Sequence, residues 1–214
     1  MRWPALAMRA PDMAVPSFAE AVLATRNAGK IRELETLLGE SLGPVRVLSA
    51  DEAELPEVVE DGVTFEANAL KKARSAAAHS GLPAFADDSG LAVDVLGGAP
   101  GIFSARWAWT HGDDAANNAL LLAQLEDVPD EHRGAAFVCA AAFVTPDGTE
   151  VVREGRFTGT LLRAPRGEDG FGYDPLFLPD GSDLTAGEMG TARKNAVSHR
   201  ALAFRALLAA LLED

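Results

Sequence analysis

The sequence predicts an α/β protein with a mixed β-sheet, and three observations carry that prediction. Short apolar runs alternate with segments whose apolar residues recur at helical spacing. Two of the runs, Ala135–Val144 and Glu150–Leu162, flank a Pro-Asp-Gly turn ending at Gly148, which favours an antiparallel hairpin. Other runs are separated by helix-length stretches, and these require crossovers. At 214 residues and 48% apolar, the chain can bury one substantial core, divided into two lobes around a cleft.

The elements follow in order. Residues 1–19 read as a loose N-terminal extension, and 20–214 as a single domain. Arg9, Pro11 and Asp12 interrupt any apolar targeting segment, and Met8 or Met13 are alternative starts. Ala21–Ala24 is a short strand and Thr25–Gly29 a turn. Lys30–Leu38 is an amphipathic helix, with Ile31, Leu34, Leu37 and Leu38 on one face. Val45–Leu48 is a second strand, and the acidic stretch Asp51–Gly62 a loop. Thr64–Ser80 is an alanine-rich helix that Thr64 can cap and Gly81 can stop. Pro83–Ala86 is a strand ending at Asp87 and Asp88. A Ser89-Gly90 turn, a second apolar run at Leu91–Leu96 and a glycine- and proline-rich loop at Gly97–Gly101 come next. Ala115–Leu125 is a helix, Ala135–Val144 the central strand, and Pro165–Gly172 a glycine-rich loop. Ser198–Leu212 is the last helix, with Ser198 as its N-cap.

Bulk properties narrow the function. A net charge of −13 argues against stable DNA or RNA binding. No apolar run is long enough to cross a bilayer. Cys139 is the only cysteine, so an intrachain disulfide and a thiolate zinc site are both excluded. It sits in an apolar run and reads as a core residue, which fits a reducing cytoplasm. Only four lysines occur, Lys30, Lys71, Lys72 and Lys194, and all four fall in the segments picked out below.

Five segments carry candidate chemistry. Asp87 and Asp88, with Ser89 following, suit a hard cation, because Mg²⁺ prefers carboxylate and phosphate oxygens. Thr25, Arg26, Asn27, Ala28, Gly29 and Lys30 join a strand to a helix whose free N–H groups suit phosphate, although Thr-x-Asn is also an ordinary helix cap. Asn68 and Lys72 share one face of the next helix, and Glu60 just ahead of it can reach a metal. Lys71 and Lys72 could equally form a solvated face. Phe171 stands between glycines in a loop with Gly172, Tyr173 and Asp174. It is placed to stack on a flat base, or else to tuck with Tyr173 into the core. Lys194 precedes the last helix, and His199 and Arg200 start it, where cations call for an oxygen-rich partner.

Taken together, DDSGLAVDVLGGAPGI, FGYDP, SHR, TRNAGK and GVTFEANALKKA make the chain resemble the inosine triphosphate pyrophosphatase family from about Ala21 to the C-terminus. The resemblance implies an elongated mixed sheet with flanking helices and two lobes around a central substrate groove, in a homodimer. It implies Mg²⁺-dependent cleavage of ITP, dITP and XTP to the monophosphate and pyrophosphate, with Mn²⁺ able to substitute for Mg²⁺. Carried over residue by residue, Asp88 is general base and metal ligand, and Glu60 a second metal carboxylate. Thr25–Lys30 and Lys72 hold the triphosphate, and Ser89 contacts substrate. Phe171–Asp174 hold the base, Lys194 contacts the nucleotide, and His199 with Arg200 read the purine edge. Two positions depart from the family pattern: Arg26 replaces a frequent glycine, and Ala67 stands where a second glutamate is common. The competing readings are a pyrophosphatase for other modified nucleotides and a non-hydrolytic nucleotide-binding module.

Overall fold

The computed structural model describes residues 18–42 and 44–213. Six strands form one sheet in the order β2-β1-β3-β4-β5-β6: β1 Glu20–Leu23, β2 Arg46–Leu48, β3 Ala84–Val93, β4 Gly134–Val144, β5 Glu150–Leu161 and β6 Phe177–Pro179. The sheet is mixed, as the sequence predicts. β1 runs parallel to β2 and β3, and β3 through β6 are antiparallel neighbours. The helices α1 Ala28–Leu42, α2 Phe65–Ser80, α3 Asp114–Gln124, α4 Thr191–Val197 and α5 His199–Glu213 flank it. Among the described residues, no helix is long and apolar enough to cross a membrane.

The sequence signals account for the helix ends. Asn27 Oδ1 accepts from the N–H groups of Gly29 at 2.8 Å and Lys30 at 3.3 Å, so it caps α1. Thr64 Oγ1 accepts from Ala67 N at 3.1 Å, and Gly81 stops α2 in the left-handed conformation at φ +68°. Ser198 Oγ accepts from Ala201 N at 3.2 Å at the start of α5. Some boundaries move. α1 begins at Ala28, inside the expected turn, and continues past Leu38 to Leu42, and Lys194, expected ahead of the last helix, lies inside the short α4.

β4 is apolar along its length because it is central and covered on both faces. Alternation sorts β3 and β4 into two packing faces. Phe85, Cys139, Ala141 and Phe143 pack with α1 and α5, where Phe204 and Leu207 are buried. Ala84, Ala86, Ala140 and Ala142 pack with the alanine face of α2. Small residues on both sides let α2 approach the sheet closely. The aromatic face depends on ring packing: Phe85 and Phe143 lie 4.8 Å apart between centroids, and Phe85→Ala there would cost about 3–5 kcal/mol. A third cluster around Leu91, Leu121, Phe137 and Phe177 fills the second lobe. Of the expected extension, Phe18 and Ala19 lie within the described residues, and the Phe18 ring stacks on Phe143 at 5.9 Å. The rest, including Met8 and Met13, lies outside them.

One expectation is corrected. Ser89-Gly90 is not a turn, because β3 runs unbroken from Ala84 to Val93 and pairs with β4 throughout. Gly90 is there for close approach: a Cβ would lie 2.4 Å from Ser104 Oγ and 2.6 Å from Gly101 O. Ser104 Oγ in turn accepts from Leu91 N at 2.8 Å, tying the segment Gly101–Arg106 to the strand.

Arg133 is buried at 1% exposure between β4 and α3. Its guanidinium donates to Leu161 O at 2.9 Å, Leu125 O at 2.6 Å and Leu162 O at 3.0 Å. It thereby joins the end of α3 to the end of β5.

Candidate active site

β1 accompanies β3 only as far as Phe85, so Asp87 and Asp88 lie past the end of β1, where β3 keeps β4 as its strand neighbour. A cleft of about 640 Å³ opens there, lined by Lys30, Glu60, Lys72, Asp87, Asp88 and Ser89 among others. The carboxylates are mid-strand, and adjacent strand residues point to opposite faces.

Asp87 shares its face with Phe85 and is held between α1 and α5. Lys30 Nζ donates to its two oxygens at 2.9 and 2.8 Å, and Arg200 Nε donates to Oδ2 at 3.2 Å. Burial alone would raise its pKa, but Lys30 and Arg200, with Lys72 behind them, outweigh burial and hold the carboxyl well below the usual range. Asp87 is a charged cross-link between two helices.

Asp88 faces α2. Asn68 Nδ2 donates to its Oδ2 at 3.0 Å, Ser89 N donates to Oδ1 at 3.1 Å, and Lys72 Nζ lies 3.7 Å from Oδ1. Burial raises its pKa. Lys72 and the Asn68 hydrogen bond oppose that, while the Glu60 and Asp87 charges add to it, and the net shift is upward. A carboxylate with a raised pKa, partly open to a cleft, can take a proton from water.

Glu60 accepts from Lys72 Nζ at 3.0 Å, so Lys72 brings Glu60 and Asp88 to one point on the cleft wall. Among the described residues, no group of three or more His, Cys, Asp or Glu side chains could hold a metal ion. Two carboxylates fit a hard cation that completes its shell with phosphate oxygens and water. Ala67 offers no oxygen, and its Cβ would lie 2.9 Å from a Cβ placed on Gly62.

A second, smaller cavity of about 130 Å³ shares Ser89 and Ala105 with the cleft and continues the groove. Phe171, Tyr173, Lys194 and His199 line it. The two loop aromatics take opposite fates. Tyr173 is buried, with its OH donating to Ser104 O at 2.8 Å, whereas Phe171 is 66% exposed. Lys194 Nζ sits 4.4 Å from the centre of the Phe171 ring and pairs with the buried Asp174. Asp174 Oδ2 also accepts from Phe171 N at 2.9 Å, and a Cβ on Gly170 would collide with that oxygen at 2.1 Å. His199 stacks on Phe137 at 5.2 Å. Burial, then the neighbouring Arg200 and Lys194 cations, push its pKa down to about 3, so the ring is neutral. Its Nδ1 is one of two buried side-chain atoms among the described residues with no hydrogen-bond partner; the other is Asn118 Oδ1.

Most of the expected site residues line these adjoining cavities; Asn27, Ala28, Gly29 and Arg200 do not. Thr25 and Arg26 line an adjoining cavity of about 390 Å³, which shares Glu60 and Lys72 with the cleft. Arg26 Nε is held by Asp51 at 2.8 Å, and Asn27 and Gly29 are engaged in the α1 cap. His199 and Arg200 were expected side by side at the base; His199 lines the aromatic cavity, while Arg200 Nε is on Asp87. Lys71 points elsewhere, to Asp61 at 2.5 Å. Three residues outside the expected set stand out. Asn68 joins Asp88 to Gly62 N, which donates to its Oδ1 at 2.8 Å, and its helical spacing from Lys72 was the available signal. Asp114 and Asn118 of α3 bond to Gly172, 58 and 54 residues away, and nothing local in the sequence marks them. Cys139 is fully buried, and burial raises its thiol pKa, so it is inert core.

Fold and groove together define an α/β protein in which a charged cleft runs into an aromatic pocket. The chain belongs to the Ham1 family, whose profile matches residues 21–210. It is 58% identical over 193 residues to a dITP/XTP pyrophosphatase of Streptomyces coelicolor, covering 90% of this chain and 96% of that protein. A crystal structure described as a nucleoside-triphosphatase / dITP/XTP pyrophosphatase from Mycobacterium abscessus is similar at 53% identity with a TM-score of 0.75, covering 91% of this chain and all of that one. A Ham1 protein from Coxiella burnetii, 39% identical, matches at a TM-score of 0.84 over 92% of this chain and all of that one.

Proposed function

We propose that the protein hydrolyses non-standard purine nucleoside triphosphates, ITP, dITP and XTP, to the monophosphate and pyrophosphate, and so cleanses the nucleotide pool. One observation carries the reading: a cleft holding Asp88, Glu60, Lys72 and Lys30 is continuous, through Ser89, with a pocket holding Phe171, Lys194 and a neutral His199. A triphosphate belongs at the charged end and a flat base at the aromatic end. The dITP/XTP pyrophosphatase name of the Streptomyces coelicolor relative supports two of these substrates, dITP and XTP.

Asp88 orients an attacking water and takes its proton. The water oxygen bonds to the α phosphorus, and the bond from that phosphorus to the bridging oxygen breaks, releasing pyrophosphate. Lys72, Lys30 and the Thr25–Gly29 segment, which leads into α1, bind the phosphates and offset the charge that develops there. Asp88 and Glu60 would hold Mg²⁺, which would supply further charge neutralisation on the phosphate oxygens; Mn²⁺ could take its place. At the other end Phe171 stacks on the base over Lys194, and Tyr173 and Asp174 shape the loop beneath it. His199 and Arg200 donate to O6. Adenine carries an amine there instead, which would leave those donors unpaired at a cost of about 1–3 kcal/mol. The same reading makes the protein a cytoplasmic homodimer without a nucleic-acid partner, and the net charge of −13 supports the last point.

The test is a panel of ITP, dITP, XTP, GTP and ATP, assayed with and without Mg²⁺ and with and without added inorganic pyrophosphatase. Phosphate should appear from ITP, dITP and XTP only when that second enzyme and Mg²⁺ are present. Phosphate released without the second enzyme would mean cleavage at the γ position and would overturn the mechanism.

A further inference from the structure

Gly172 sits between the exposed Phe171 and the buried Tyr173, and both of its main-chain polar groups are held by one helix. Asp114 Oδ2 accepts from Gly172 N at 2.6 Å, and Asn118 Nδ2 donates to Gly172 O at 2.8 Å. Asp114 and Asn118 are four residues apart on α3, so they share a face one turn apart. The helix is itself anchored. Asp113 Oδ1 caps it through Ala116 N at 3.0 Å, and the buried Asn117 Oδ1 accepts from Ala108 N at 2.7 Å. Asp114 also lines the aromatic cavity with Phe171 and His199.

We infer that Asp114 and Asn118 are positioning residues for base recognition, a two-point clamp that holds the Phe171–Asp174 loop ready before the nucleotide arrives. The inference rests on the reading of that loop as the base site. The physical case is one of ordering. Gly172 has φ +62°, a conformation that glycine leaves easily, and residues 171–173 are bend and turn ahead of the single 3-10 turn Asp174–Leu176. Phe171 is tied at its N–H by Asp174 of the same loop and beneath its ring by Lys194 of α4. The α3 clamp holds the next residue through both of its main-chain polar groups, and these ties together set the plane of an exposed ring. A ring fixed in the free protein costs no ordering when a base stacks on it. Asp114 and Asn118 touch neither the cleft carboxylates nor Lys72, so their contribution falls on binding of the base and not on the chemical step.

The experiment is steady-state kinetics on ITP, with melting temperatures, for Asp114→Ala, Asn118→Ala, Asn118→Asp, Asp114→Asn and the reference Phe171→Ala. The expected result is a KM raised about five- to tenfold in Asp114→Ala and Asn118→Ala, the scale of one hydrogen bond, with kcat held within about twofold. Asp114→Asn keeps an acceptor for Gly172 N and should restore a KM near that of the unaltered protein. Asn118→Asp matches asparagine in size but cannot donate, so it should raise KM as the alanine does, and it decides the matter if Asn118→Ala fails to fold. Inhibition by pyrophosphate, which probes the charged end alone, should be unchanged throughout. A KM that stays put in the α3 variants while Phe171→Ala raises it would overturn the clamp and leave the base site standing. A fall in kcat with weakened pyrophosphate inhibition would also overturn it, as general damage. An unchanged KM in Phe171→Ala would remove the base site, and the clamp with it.

Discussion

Asp87 and Asp88 are the same residue twice, joined by one peptide bond, and the sheet sends them into different surroundings. Asp87 faces α1 and α5 and is gripped by Lys30 and Arg200, with its charge locked on. Asp88 faces α2 and the cleft, where a neutral amide and a 3.7 Å ammonium leave its affinity for a proton raised. The alternation of a strand thus gives one carboxylate a structural task and, on the proposed function, its neighbour a chemical one. Residue type alone does not tell them apart; the side of the sheet does.

The largest effect that would sharpen this contrast is on turnover. Asp88→Asn keeps the shape and the neighbours but removes the proton acceptor. It should lower kcat for ITP by about 10²–10⁴-fold with little change in melting temperature. Asp87→Asn should do the reverse in kind. It leaves Lys30 and Arg200 facing each other across a buried amide, and should cost about 3 kcal/mol of stability in denaturant unfolding. If Asp87→Asn instead abolished turnover at unchanged stability, while Asp88→Asn still turned over, the two assignments would be exchanged.

Acid titration gives an effect that is smaller per pH unit and separates Asp87 from its neighbour on α5. His199 is neutral in the fold, with its pKa pushed down to about 3, whereas an unfolded histidine titrates near 6.5. Below pH ~6.5 the unfolded chain therefore binds a proton that the folded chain does not, and stability falls with falling pH by up to about 1.4 kcal/mol per unit until pH ~3. His199→Gln should flatten that limb. Asp87, with a depressed folded pKa, contributes its stabilisation above the unfolded carboxylate pKa of about 3.9 and loses it only as pH falls below that value. An unaltered slope between pH 6.5 and 4 in His199→Gln would mean that the ring is charged in the fold.

The order of the longer elements, the central strand, the hairpin and the ends of α2 were legible in the sequence, because each rests on a local signal: period, cap, or turn residue; the short β6 and α4 were not read. Ser89-Gly90 misled because a glycine at a turn and a glycine against another segment look alike along the chain. The reason for Gly90 lies at Gly101 and Ser104, more than ten residues on, and is visible only in three dimensions. The candidate site divides the same way. Lys30, Lys72, Asp88 and Glu60 were read from their own segments and the structure gathers them into one cleft. Arg200 was read from helix-end electrostatics, which asks for an oxygen partner. The partner the structure supplies for Nε is Asp87, 113 residues earlier. Asp114 and Asn118 could not be read at all, because their partner is a main-chain group with no side chain to announce it.

Arg133 carries a different kind of consequence. A buried guanidinium whose hydrogen bonds go to the carbonyls of Leu125, Leu161 and Leu162 is blind to the side chains at those positions. Substitution there tests packing alone. Adding or removing a single residue near either contact would swing the carbonyls out of reach and strand a cation in the interior. The second lobe should therefore accept changes of letter at these joints far more readily than changes of length.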